Sequence, residues 1–385
     1  MKYIMPEYYG EFRCLDKNCP DSCCKGWQIS IDAETLKKYG NLEGPFANRL
    51  KNSVDWENGC FRRYRGSCVM LNEQGLCDIY TEAGPSMLCS TCRDYPRHRE
   101  EYEGVVELSL SLSCVEAARI ILEHKGPVRF LTRELSGKEE TFYGFDRRLY
   151  RVLLDARNVI FGMLQSDGGL PEAMAAVLHM SRELQRYIDA GDLDGAKRAV
   201  RHCRERFLAR TGRKTDRLLY GRTDEAVVYR NMKRLARLFA NMEPVDRGWR
   251  PYLKQSCRVL YGMGAEAYAE NRNAFLKEAE EDAWRQLLEY FVYTYFCGAV
   301  YDRRAYEKIK LVYVMYLMIR ELAQAFWMQN GELKITDLAG IAGRCSREAE
   351  HSDRNLAYLE RALFRDRGFH MDDLLGCTST MDGRR

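Results

Sequence analysis

Ten of the fifteen cysteines in this 385-residue chain fall within its first 125 residues. They run Cys14-x4-Cys19-x3-Cys23-Cys24, then Cys60, then Cys68-x8-Cys77, Cys89-x2-Cys92 and Cys114. An even spread would place about five there, so the crowding has a cause. Close pairs of thiolates, each on its own turn, can close on one soft metal ion when the fold brings the pairs together. A secreted domain would join them as disulfides, but the total is odd, and a reducing compartment keeps thiols free for metal. Metal binding within this set is the expectation. Cys60, in NGCFRR, shares no such spacing and reads as a spare.

Spacing does not choose the metal. A zinc ribbon needs two regular Cys-x2-Cys pairs, and only Cys89–Cys92 has that form. The bacterial ferredoxin run Cys-x2-Cys-x2-Cys is missing. Cys19-x3-Cys23 begins like the radical-adenosylmethionine signature, but Gly26 stands where its third cysteine belongs. Zinc and an iron–sulfur cluster therefore both stay open. Cys23 and Cys24 are adjacent, and neighbours on extended backbone point to opposite sides. They could serve two sites, or one could ligate while the other packs. His98 lies beside the Cys89–Cys92 turn and reads more readily as a solvated turn residue than as a ligand. His351 is weighed in the same way, as a functional group against a surface residue ending a helix. Arg93 and Arg97 are suited to neutralising thiolate charge or pairing with acids.

The elements that must hold these cysteines are short. Asp32 is a good N-cap for a helix to Tyr39 stopped by Gly40, and Pro45 can open another that runs to about Val54. NEQG suggests a hairpin between Val69–Leu71 and Leu76–Tyr80, and Glu103–Gly104 a second. Leu108, Leu110 and Leu112 alternate with serines, the period of a half-buried strand, which would deliver Cys114 to a helix start. There the free N–H groups and the helix dipole favour a thiolate. Beyond about Gly126, strand patterns give way to helical periodicity. Helices are expected at 145–165, 171–190, 193–210, 225–242, 249–261, 265–300, 304–329, 336–350 and 353–365. Leu311, Met315, Leu317, Met318, Leu322 and Phe326 form an apolar stripe, which reads as core.

Together these readings give a mainly α protein, in which a small mixed α/β cysteine-rich metal module packs on a larger all-helical domain. The division is placed at 1–125 and 126–385. The first part carries a formal charge of −3 and the second +7. That asymmetry allows an acidic partner without asking for nucleic acid, and the basic stretch Arg198–Arg213 reads first as a solvated helix face. Pro6, Glu7 and Glu11 interrupt the apolar run a signal peptide would need, and no apolar stretch reaches the roughly 20 residues of a membrane helix. A cytoplasmic protein with no membrane span is expected.

Several segments carry a specific resemblance. YGEFRC (9–14), CPDSCCKGWQISID (19–32), SCVMLNEQGLCDIY (67–80), LCSTCRDYPR (88–97) and LSLSCVEAARI (110–120) resemble the flagellin lysine-N-methylase family. More loosely they resemble zinc- or iron-chelating cysteine-cluster domains. YDRRAYEKIKL and REAEHSDRNLAYLERAL extend the likeness toward the end of the chain. The resemblance implies transfer of methyl groups from S-adenosylmethionine to flagellin lysines, in a protein with an iron–sulfur cluster of the [4Fe-4S] kind, zinc being the alternative. It carries over Cys14, Cys19, Cys23, Cys24, Cys68, Cys77, Cys89, Cys92 and Cys114 as a pool of metal ligands. Val115 departs from the family pattern, which places proline there. A competing reading is a non-catalytic metal-binding or redox protein. No glycine-rich strand-to-helix loop of the dinucleotide-binding kind marks an adenosylmethionine pocket, since Gly262-Met263-Gly264 follows a helix.

Overall fold

Gly104 has φ +77°, a left-handed conformation open to glycine without strain, and it reverses the chain between strands Arg97–Tyr102 and Val105–Leu110. The two strands pair antiparallel, with Arg97 opposite Leu110. Strand Lys2–Pro6 runs parallel along the other side of Val105–Leu110, and Phe130–Glu134 closes that edge antiparallel. The structure, a computed structural model, describes residues 1–136, 140–210, 224–364 and 369–378. Residues 211–213 of the basic stretch and Arg365 lie outside them.

Two local expectations change. The serine–leucine alternation suggested one wet face, but Val106, Glu107, Ser109 and Leu110 are all buried, because this strand is flanked on both sides and covered by helices. It ends at Leu110, and a turn at 111–113 leads to Cys114, the N-cap of helix Val115–Glu123. Phe130–Glu134 is a strand where only helices were expected. Its five residues find their ladder partner in Lys2–Pro6, far away in sequence.

Between Lys2–Pro6 and Arg97–Tyr102 the chain makes a detour, and this detour carries most of the cysteines. Asp32 caps helix Ala33–Gly40 by accepting from the Thr35 N–H, and Pro45 opens helix Pro45–Asn52. Two brief antiparallel pairings follow, Val54–Asp55 with Cys60–Phe61 and Arg63–Tyr64 with Ser67–Cys68. The NEQG segment makes a tight turn whose arms form one β-bridge, Leu71 with Cys77, held by the Asp78 N–H on the Met70 carbonyl and the Asn72 N–H on that of Leu76. A turn of π-helix at Ile79–Ala83 follows where the second arm was expected to continue. Ile29, Tyr39, Leu50, Phe61, Met70 and Ile79 form a small core of their own. Tyr8, Phe12 and the helix Val115–Glu123 belong instead to the large core of the helical part. The segment 1–125 thus contributes to both cores.

The helical part is built around Ala305–Asn330, whose residues from Ile309 to Ala325 are all buried. The apolar stripe is one side of a helix enclosed on every side. Helices Leu170–Asp189, Trp249–Tyr261, Glu281–Tyr295, Ile335–Glu350 and Asp353–Phe364 pack around it. The single helix expected at 265–300 divides into Gly264–Glu278 and Glu281–Tyr295, because Ala279 and Glu280 are extended. Its two halves pack on different neighbours, the first on Glu225–Ala240 and the second on Val115–Glu123. Tertiary packing here overrides a strongly helix-forming sequence. The protein is mainly α with a minor mixed α/β part, as expected. Among the described residues no helix is long and apolar enough to cross a membrane.

Candidate functional site

All fifteen cysteines are free thiols. The Cys24 thiol interacts with those of Cys23 and Cys77, and the Cys92 thiol with that of Cys89. Cys68 lies within electrostatic reach of Cys77, Cys89 and Cys23. Cys14, Cys19 and Cys114 approach separately, each within reach of Cys23. The structure therefore draws the nine cysteines of the pool into one neighbourhood, with Cys23 common to both groups. Cys60 stays apart, its charged neighbours being Asp55 and arginines.

Hydrogen bonds and burial set the thiols apart. The Cys24 thiol lowers the pKa of Cys23 and Cys77, and Cys92 does the same for Cys89. Cys24 and Cys92 themselves are held protonated. Burial pushes Cys68 up to about 12 and raises Cys14 and Cys19. Cys114 makes no side-chain capping hydrogen bond, and burial outweighs the lowering effect of the nearby Ala117 and Glu116 N–H groups and pushes it up to about 11. A metal would have to displace these protons, since the thiolate is the ligand. Among the described residues no three Cys, His, Asp or Glu side chains are already set as a metal site. The donor set is wholly sulfur, which suits zinc or an iron–sulfur cluster.

Local structure fixes these residues. Asp32 accepts from the Ser90 N–H at 2.9 Å as well as from Thr35, tying the first helix to the Cys89–Cys92 turn. Those bonds, the one from Ser90 foremost, hold its carboxyl well below the usual range. The Cys68 N–H donates to the Cys24 carbonyl at 2.8 Å. Arg93 pairs with Asp94, and Arg97 lies over the rings of Phe12 and Tyr9. His98 is exposed on its strand, beside Glu100.

The module meets the helical part along helix Ile335–Glu350. Gly343 allows the closest approach: a Cβ there would lie 3.3 Å from the Leu112 carbonyl oxygen. Arg347 donates to Asp21 at 2.6 Å and to the Ser113 carbonyl at 3.0 Å. Burial opposes ionisation of Asp21, but the Arg347 charge and hydrogen bond outweigh it and lower its pKa. His351 is no surface residue. Its Nε2 lies 2.7 Å from the Ser113 hydroxyl, and its ring meets Trp27 edge-on at 4.4 Å. Burial, then Arg347, push its pKa down to about 4, so it is neutral near pH 7.

Beside this contact a pocket of about 440 Å³ opens between the two parts. Pro20, Asp21 and Gly26 form one wall, and Asp246, Tyr252 and Arg347 another. Val115, next to Cys114, also lines it. Glu348 accepts from the N–H groups of Val245 and Asp246 at 2.8 and 2.6 Å, fixing the turn that carries Asp246. Burial raises Glu348 to about 7. Sequence reasoning missed Asp246, Tyr252 and Arg347 as site residues. Only Arg347 had a signal, its place in the REAEHS segment.

A sulfur-rich centre set against a helical domain, with a charged pocket at their junction, defines a class of thiol-bearing helical proteins. Residues 157–377 match the FliB lysine N-methylase C-terminal domain, more than half of the chain, and the protein belongs to that family. It is 32% identical over 126 residues to the flagellar biosynthetic protein FliU of Salmonella muenchen, covering 30% of this chain and 75% of FliU. The same identity and length relate it to the lysine-N-methylase of Salmonella typhimurium (strain LT2), covering 30% of this chain and 31% of that protein. The lysine-N-methylase of Salmonella choleraesuis gives the same figures. The match thus spans about a third of the length of those two lysine-N-methylases. No solved structure matches.

Proposed function

We propose that this protein is a lysine N-methyltransferase that uses S-adenosylmethionine to methylate flagellin in the cytoplasm, with an iron–sulfur cluster held by cysteines of the nine-thiol pool. The family match over residues 157–377 carries the reading. The names of the relatives, flagellar biosynthetic protein and lysine-N-methylase, support both the substrate and the reaction. The all-sulfur donor set supports the cluster over a hard-metal site. A bound cluster would supply a soft, thiolate-ligated redox centre beside the module contact.

In the transfer, the lysine nitrogen forms a bond to the methyl carbon while the carbon–sulfur bond of the sulfonium breaks, leaving S-adenosylhomocysteine. The attacking amine must be neutral, so the lysine ammonium first loses a proton to a base or to water. The test is anaerobic purification, analysis of iron, sulfide and zinc, and an assay of methyl transfer to purified flagellin. Iron with acid-labile sulfide, and methylated lysines, are expected. A fully metal-loaded protein that leaves flagellin unmodified would favour the metal-binding or redox reading.

A further inference from the structure

We propose that the pocket between Asp21–Gly26 and helix Ile335–Glu350 is the binding site for the methyl donor, a sulfonium amino acid joined to a nucleoside. This inference rests on the methyltransferase reading and adds its location. Its size, the mixed charge and aromatic residues of its lining, and the guanidinium of Arg347 all bear on it.

The pocket's volume of about 440 Å³ lies within the range of small-molecule sites, roughly 300–1,000 Å³. Four carboxylates line it, Asp21, Asp246, Asp337 and Glu348, against three cations, Lys25, Arg344 and Arg347. S-adenosylmethionine carries a sulfonium, an ammonium and a carboxylate, so a lining with charges of both signs complements it. Tyr252 and Phe326 supply aromatic surface, and both are half-buried. The Arg344 guanidinium lies 4.5 Å from the Tyr252 ring centre and covers one face of that ring.

The strongest pointer is Arg347. It is 9% exposed, and two of its contacts are with Asp21 and the Ser113 carbonyl. Its Nε is buried without a hydrogen-bond partner. A ligand carboxylate in the pocket would pair with the Arg347 guanidinium that lines it. We assign the donor's amino-acid carboxylate to Arg347 and its ribose diol to Asp246, which lines the same pocket. The aromatic pair then receives the purine. Val115 and Pro20 in the wall are neighbours of Cys114 and Cys19, which places the donor next to the thiol centre.

Gly340 gives a clean test. It lines the pocket, and a Cβ there would meet nothing within 4 Å, so the side chain of Gly340→Leu starts into open space. Calorimetric titration of the metal-loaded full chain with S-adenosylhomocysteine is the measurement, with iron content and melting temperature checked for each variant. Gly340→Leu and Asp246→Asn should weaken binding tenfold or more at unchanged iron content and melting temperature. Arg201→Ala, in the separate groove between helices Arg147–Leu164 and Leu193–Arg210, should bind as the unmodified protein does. Wild-type binding retained in both pocket variants would overturn the location and leave the methyltransferase reading standing. If the unmodified protein bound neither S-adenosylhomocysteine nor S-adenosylmethionine, both readings would fall together.

Discussion

Each thiol of the pool sits in a different electrostatic setting, so single substitutions should not be equivalent. Cys24 and Cys92 each interact with a neighbouring thiol of the pool. Their loss removes both a ligand and the contact that orders the adjacent sulfur. Cys24→Ala and Cys92→Ala, purified anaerobically, should hold less than half the iron of the unmodified protein. Cys203→Ala, outside the pool and beside Glu183, should keep it. Equal iron in all three would refute the ligand assignment. Buried acids predict a second behaviour. Burial raises Glu289 to about 7, opposed by the Gln165 amide, the Val128 N–H and Arg285. In the unfolded chain it would ionise near the ordinary glutamate value of about 4.3. Between these values the folded state holds the extra proton, so stability falls as pH rises from about 4.5 to 7. Glu289→Gln should flatten that slope by on the order of 1–3 kcal/mol in urea titrations at pH 5 and pH 7.5.

At the scale of elements, the contact between helix Ile335–Glu350 and the turn at 111–113 depends on the missing side chain of Gly343. Gly343→Val should lower the melting temperature and loosen the Arg347–Ser113 bond, since a Cβ would already crowd the Leu112 carbonyl. Gly343→Ala should have a smaller effect. A Val variant as stable as the parent would show that the approach is not tight. Local signals made much of this level legible in the sequence. Asp32, Pro45 and Cys114 stand at the helix starts their types favour, and Gly104 turns the hairpin. What stayed hidden depends on distant partners. The strand Phe130–Glu134 exists because Lys2–Pro6 pairs with it, and the break at 279–280 because two helices lie in different directions. Arg347 reaches Asp21 across 326 positions of sequence. No local pattern reports such a meeting.

At the scale of the molecule, the sheet and helices are joined by a buried ion pair. Arg157 of helix Arg147–Leu164 meets Glu107 of strand Val105–Leu110, and both side chains are nearly fully buried. Removing one partner leaves the other charge unpaired in the interior, so Arg157→Leu should cost about 3–5 kcal/mol. The double variant Arg157→Leu/Glu107→Leu should recover a large part of it in chemical denaturation. A double variant no better than the single would show that the cost lies in packing. The two cores predict an unequal response to metal removal. Hydrogen exchange should rise first in residues 14–95, whose apolar core is small and whose folding a metal would support. Helix Ala305–Asn330, enclosed by its neighbours, should stay protected.

The detour between strands Lys2–Pro6 and Arg97–Tyr102 also bears on how such a chain could be altered by evolution or by design. Both strands flank Val105–Leu110 in one sheet, so they lie about 10 Å apart, two strand spacings. Residue 6 lies near Ser109 in register, and Arg97 pairs with Leu110, so the detour leaves and returns at the same end of the sheet. A segment with neighbouring ends can be lost, lengthened or exchanged without rethreading the rest of the chain. The detour is thus a cassette, and a shortened relative could keep the helical scaffold while discarding eight of the nine pool thiols, Cys114 staying at its helix start.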